Sequence, residues 1–269
     1  MKGGVQLIGL IRDMYRNRYL LGELTKRDFK GYYINSILGL LWAVLEPLAM
    51  MMILWFVFEV GLRAGKRMEI PFVTYLITGI AGYNYFSKGL GTGTNVMRGY
   101  SFLVSKVKVR LYLLPIVKLL SNLLLHCINM VIALIILAAN GIYPTVYAIQ
   151  IVYYIFGLSL LLLGLTYLTS AISVFVPDIT NIVNIVTRFL FFLTPIMFSM
   201  DMVPQRFHLL FKLNPLFFIV QGYRDSLIYR VGFWSYPVQN AYYWGVVIVF
   251  FTAGVLVFRK LEPYFAEVL

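Results

Sequence analysis

The run LYLLPIVKLLSNLLLHCINMVIALIILAA, residues 111–139, holds one charged side chain, Lys118, in 29 positions. A helix needs about 20 apolar residues to cross a hydrocarbon core of ~30 Å. This run exceeds that length and predicts a membrane-spanning helix. Working outward from it, five further apolar runs predict spans at 37–58, 70–90, 147–176, 179–200 and 240–258. The runs at 111–139 and 147–176 are longer than needed and must tilt or protrude. The expected fold class is therefore an all-α integral membrane protein with six transmembrane helices.

Composition agrees with that reading. The chain has 269 residues, 61% hydrophobic and 13% charged, with mean hydropathy +0.82. A soluble domain carries about 25% charged residues. Six spans use roughly 120–130 residues, and the remainder is scattered in pieces too short for a nucleotide-binding or catalytic domain. A soluble enzyme, a disordered chain and a sequence-reading DNA-binding protein are excluded, so no nucleic-acid partner is expected. Cys127 is the single cysteine and lies inside an apolar run, so no intrachain disulfide is expected. No cleavable signal peptide is expected either: the first apolar patch, residues 5–11, is short and runs into charges.

The chain divides into residues 1–36, a basic amphipathic segment, 37–259, the spans, and a tail at 260–269. In the first segment Val5, Leu7, Ile8, Leu10, Ile11, Met14 and Tyr15 share a helical face opposite Arg12, Asp13, Arg16 and Asn17. Such a helix lies in the headgroup plane of anionic membrane lipids. The alternative is a cytosolic helix packed on the protein's own base. Between the last two spans, residues 201–239 hold two apolar pieces too short to cross. Asn214-Pro215 divides them, and Pro215 cannot continue a helix. A re-entrant helical pair is the economical reading, shielded by protein or wetted by a cavity.

Basic residues set the orientation. Lys2, Arg12, Arg16, Arg18, Lys26, Arg27, Lys30, Arg98, Lys106, Lys108, Arg110, Arg259 and Lys260 fall on one side, and Arg63, Lys66, Arg67, Arg206, Lys212, Arg224 and Arg230 on the other. The bias of 13 to seven places both termini in the cytoplasm of a multi-pass protein of the cell membrane. No internal repeat is evident, and one re-entrant pair is visible where an inverted-repeat transporter shows two. Half a pathway per chain points to a homodimer.

Motifs for chemistry are missing. Gly65-Lys66-Arg67 lacks the glycine and the Ser/Thr of a Walker A loop, and no GxSxG, HExxH or CxxC occurs. No catalytic residue, metal ligand or cofactor is expected in this chain, and His126 reads as a packed histidine. Intramembrane charges mark pairing or a pathway. Glu59 and Lys88 read as structural groups near span ends. Glu46, before Pro47, shares a face with Gly39 and Ala43, where small residues permit close helix contact. It serves either an interhelical hydrogen bond or a pathway, with Trp42 beside it. On the fifth span Asn181, Asn184, Arg188, Phe191 and Pro195 recur every three to four residues. That stripe must face protein or water, and Arg188 suits a phosphate or other anion. The loop carrying Arg98, Lys106, Lys108 and Arg110 either docks in a soluble partner or is an ordinary positive-inside loop.

Several stretches resemble one known family. Ser36-Ile37-Leu38-Gly39-Leu40-Leu41-Trp42 with Glu46-Pro47, then Pro177-Asp178-Ile179, Leu193-Thr194-Pro195-Ile196, Val203-Pro204, Asn214-Pro215 and Tyr223-Arg224 resemble ABC-2-type polysaccharide-export permeases in order and spacing. Gly141-Ile142-Tyr143-Pro144 and Tyr223-Arg224-Asp225-Ser226-Leu227 look most like the wall teichoic acid branch, with the O-antigen and capsule branches close. The resemblance implies a homodimer with two ATP-binding cassette subunits, which hold the ATP and Mg. It implies ATPase coupling through Arg98, Lys106, Lys108 and Arg110. It also implies a conduit for a lipid-linked polysaccharide along Trp42, Glu46, Asn181, Asn184, Arg188 and Phe191. A re-entrant gate would be built from Asn214, Pro215, Tyr223 and Arg224. A gradient-driven transporter acting without an ATPase, with Glu46, Lys118 and Arg188 as coupling groups, is the alternative. A non-transporting enzyme of glycan assembly is a third reading, disfavoured by the missing catalytic groups.

Overall fold

The computed structural model describes residues 15–31, 37–61, 70–102 and 110–269, and every regular element among them is helical. The 5–11 patch, Arg63, Lys66, Arg67, Lys106 and Lys108 lie outside the described residues. In chain order the helices are α1 (Arg18–Gly31), α2 (Trp42–Trp55, continued by a π turn Phe56–Gly61), α3 (Phe72–Thr94), α4 (Val96–Gly99), α5 (Leu113–Ala139) and α6 (Gln150–Phe175). They continue as α7 (Ile179–Leu193), α8 (His208–Lys212), α9 (Pro215–Arg224, continued by a π turn Asp225–Tyr229), α10 (Pro237–Leu261) and α11 (Phe265–Val268).

Among the described residues, four helical stretches are long and apolar enough to cross a membrane: Trp42–Gly61, Leu113–Ala139, Val146–Phe175 and Pro237–Val268. The predicted second span is α3, 23 residues long but rich in Gly, Thr and Tyr. Its weak hydropathy has a physical reason. It is walled in by α5, α6, α7 and α9, and 17 of its residues are buried, so protein contacts replace lipid contacts. The predicted fifth span, 179–200, stops early: α7 ends at Leu193 after 15 residues. At 1.5 Å per residue that is about 22 Å, short of the ~30 Å core. Thr194 precedes Pro195 and is extended, with φ −105° and ψ 129°, because a residue before proline is driven from the helical region.

The end of α5 shows how local sequence sets the boundaries. Gly141 takes φ 78°. Its N–H bonds Ala138 O at 3.0 Å while Ile142 N–H reaches Leu137 O at 2.9 Å. These are the two bonds of a Schellman cap, and the left-handed residue favours glycine. Helices α6 and α10 pack along much of their length. Their closest approach is at Gly164 and Gly254, where an added Cβ at Gly254 would lie 2.1 Å from Gly164 O. Small residues there allow backbone contact that no larger side chain permits.

The core has two main parts, beside a small cluster of Ala43 and Leu125. The larger surrounds α3 and takes in α5, α6, α9 and α10. The second, at one end of the bundle, joins Leu21 of α1, Val96 and Met97 of α4, Leu113 and Leu114, Tyr167, Phe258 and Phe265. The last of these brings α11 back onto α10, with the Phe258 and Phe265 rings edge to face at 5.4 Å. Two helices reach the larger core through one buried member each, Met51 of α2 and Val183 of α7. Only Ala43 and Met51 are buried on α2, and only Val183 and Thr187 on α7.

Candidate functional site

Thr194-Pro195 opens a buried stretch of non-helical backbone, and the carbonyls it frees need partners at membrane depth. Arg224 supplies them. Its Nη1 donates to Pro195 O at 2.7 Å, and Nη2 donates to Ile196 O at 3.0 Å and Tyr75 O at 3.3 Å. The guanidinium carbon lies 3.4 Å from the centre of the Tyr75 ring, and the side chain is wholly buried. Tyr75 in turn donates its hydroxyl to Phe198 O at 2.9 Å. Gly79 makes the space, since a Cβ there would stand 2.7 Å from Nη2 of Arg224.

Residues 201–239 hold two short helices, α8 and α9, with Pro215 as the first residue of α9. Asn214 caps α9 by accepting from Leu216 N–H at 3.0 Å, and its amide donates to Thr194 Oγ1 at 2.8 Å. Tyr223 is buried, its hydroxyl 2.9 Å from Nε2 of His126 on α5. Asn214, Tyr223 and both terminal nitrogens of Arg224 are engaged in internal bonds. Chemically they fix the broken element to α3, α5 and the 194–198 strand of backbone.

A second polar arrangement lies between α2, α3 and α5. Glu46 accepts a hydrogen bond from Lys88 Nζ at 3.0 Å, across 42 residues of sequence. Lys88, a structural group near a span end by sequence, is the partner of Glu46. The pair stands at a cleft of about 450 Å³ lined also by Asn84, Asn122, His126 and Asn129. No sequence signal joined these helices. One on α5 was visible, because Lys118, Asn122, His126 and Asn129 recur at four, four and three residues.

The α7 stripe divides in two. Asn181, Asn184 and Arg188 are exposed, whereas Phe191 turns to the Tyr83 ring at 4.9 Å and Pro195 is buried. Tyr83 also donates to Thr187 O at 2.5 Å, which fixes the helix's inner face on α3. Trp42 is 44% exposed at the start of α2. None of the α7 residues lines the Glu46 cleft. The structure thus separates the expected pathway residues into an open α7 face and the α2–α3–α5 cleft.

At the end of the bundle that holds the second core, α1 docks through Leu21, Thr25 and Asp28. Asp28 ion-pairs with Lys118 of α5 and accepts from the Tyr100 hydroxyl at 2.9 Å. Lys118, one of the intramembrane charges, is the anchor of α1. Arg98 on α4 donates to Val174 O at 3.5 Å, and Val96 and Met97 are buried. Arg110 bonds the Tyr112 hydroxyl at 3.0 Å. The first part of the expected coupling loop is therefore anchored to the ends of α5 and α6.

Residues 19–228 match the model of the family described as ABC-2 type transporter. The chain belongs to that family. The match takes in the α1 anchor, the cleft and the Arg224 cradle, and it stops short of α10. Among relatives of this ABC-2 chain is the O-antigen export system permease protein RfbA of Klebsiella pneumoniae. It is 27% identical over 259 residues, covering 93% of this chain and 95% of the relative. RfbA of Myxococcus xanthus is 28% identical over 221 residues, covering 81% and 84%. The polysialic acid transport protein KpsM of Escherichia coli is 24% identical over 238 residues, covering 88% and 91%. ABC-2 transporters of this kind are membrane permeases that work with a separate ATPase.

Proposed function

We propose that this ABC-2 chain is the permease subunit of an ATP-driven exporter that moves a lipid-linked polysaccharide across the cell membrane. Two copies pair around a conduit, and two ATPase subunits beneath them bind ATP and Mg. Each copy crosses the membrane six times, with α3 and the truncated α7 counted among the spans. Both termini are cytoplasmic, and α8–α9 form the re-entrant pair on the outer side. The α1 anchor and the loop begun by α4 receive the ATPase movement.

The observation that carries this reading is the exposure of α2 and α7, whose polar residues Asn181, Asn184 and Arg188 face outward. Polar groups at membrane depth cannot stay in lipid, and a second copy of the chain would enclose them. The relatives' names favour O-antigen or capsule-type glycan over teichoic acid. Stimulation by O-antigen precursors against teichoic acid precursors separates these polymers.

Arg188→Ala tests the conduit. One lost charge-assisted hydrogen bond is worth roughly 1.5–3 kcal/mol, so export is expected to fall about 10- to 100-fold. Dimer mass and ATPase co-purification stay at native levels. Lost assembly with export intact per assembled dimer contradicts the conduit.

A further inference from the structure

The Glu46 cleft has a chemistry of its own. Its charges cancel, because Glu46 and Lys88 bond each other at 3.0 Å, so it offers no net field to an anion. Beyond that pair its polar wall is largely amide. Asn122 Oδ1 and Asn129 Oδ1 have no hydrogen-bond partner. Asn122 is 2% exposed, so solvent does not satisfy it. The orientation of Asn122 is fixed, since its Nδ2 donates to Lys118 O at 2.8 Å and Thr92 Oγ1 at 2.9 Å. Its carbonyl oxygen is therefore the free atom. Buried polar groups are normally paired, and exceptions mark functional sites or an absent ligand.

Free acceptors call for a ligand that donates. A phosphate presents only oxygens and fits poorly. A neutral sugar ring presents a row of hydroxyl donors, and the mixed pair Lys88–Glu46 at the mouth both donates to and accepts from further hydroxyls. A volume of about 450 Å³ falls within the ~300–1,000 Å³ of small-molecule sites. We infer that the α2–α3–α5 cleft is a saccharide-binding site that takes a neutral sugar ring of the lipid-linked substrate, with its hydroxyls donated to Asn122 and Asn129. The inference rests on the export reading for the lipid link, but the site is separate from the α7 face.

The test uses the complex with its ATPase in phosphatidylcholine nanodiscs. One probe is a fluorescent polyprenyl phosphate bearing a neutral disaccharide; the other is the same lipid phosphate without sugar. The sugar-bearing probe is expected to bind more tightly. Asn129→Leu is expected to weaken it roughly 3- to 10-fold, the range of one neutral hydrogen bond, while leaving the sugar-free probe unchanged. If Asn129→Leu does not fold, Asn84→Leu gives the same comparison. Equal affinity for both probes overturns the inference, leaving water or a lipid headgroup as the occupant. So does undiminished sugar-dependent binding in the leucine variants. Transport in the same nanodisc-purified complex, moved to liposomes, is scored separately. Its absence counts against the export reading whichever way the binding falls.

Discussion

Arg224→Ala is expected to lower the thermal midpoint of the detergent-solubilised chain by roughly 10 °C, the equivalent of about 3–4 kcal/mol for a protein of this size. Three bonds to Pro195 O, Ile196 O and Tyr75 O are lost together with the stacking on Tyr75. The Pro195 and Ile196 carbonyls left behind sit in a buried stretch, which is the costly half of hydrogen-bond deletion. Arg224→Lys separates charge from geometry. Lysine keeps the charge but not the planar fork that serves several carbonyls at once, so it recovers less than half of the loss. A differential scanning fluorimetry series measures all three proteins. A midpoint within 2 °C of native for Arg224→Ala, on the order of 1 kcal/mol or less, contradicts the assignment of Arg224 as the cradle of the broken helix.

The second large effect concerns the anchor of α1. Asp28→Leu leaves Lys118 without its carboxylate in a site where Lys118 is 18% exposed and Asp28 5%. Breaking such a buried pair costs roughly 3–5 kcal/mol, whereas replacing both partners by apolar residues is often neutral. The single variant is therefore expected to release α1 and uncouple ATP hydrolysis from export. Trypsin then cuts more rapidly at Lys26, Arg27 and Lys30. Asp28→Leu combined with Lys118→Met is expected to restore both protection and export to near native. Equal proteolysis and export in all three proteins removes the pair from the mechanism.

These two features differ in how far the sequence revealed them. Helices α5, α6 and α10 were legible because lipid-facing runs must be continuously apolar. Their boundaries followed from local chemistry such as the Gly141 cap. The early end of α7 was written in Thr194-Pro195, yet the apolar residues after it masked the stop. Arg224 was visible only through its resemblance motif and its count among basic residues. Its burial depends on Gly79 and Tyr75 of α3, which sequence patterning cannot bring beside it. Lys88 and Lys118 are each half of a pair whose partner lies far along the chain. Intramembrane charges state that a partner exists without naming it. The polar stripe through Asn122 and Asn129 had the same helical spacing as the α7 stripe. Its signal is weaker because its members differ in type and none but Lys118 is charged.

The most direct test of the central claim is ATP-dependent movement of lipid-linked polysaccharide in proteoliposomes. The chain is reconstituted alone, its ATPase partner is prepared alone, and the two are combined. The export account predicts movement only from the combined preparation, only with ATP and Mg, and with ATP hydrolysis stimulated by the polymer. Movement by the chain without the ATPase, driven by an ion gradient, contradicts it.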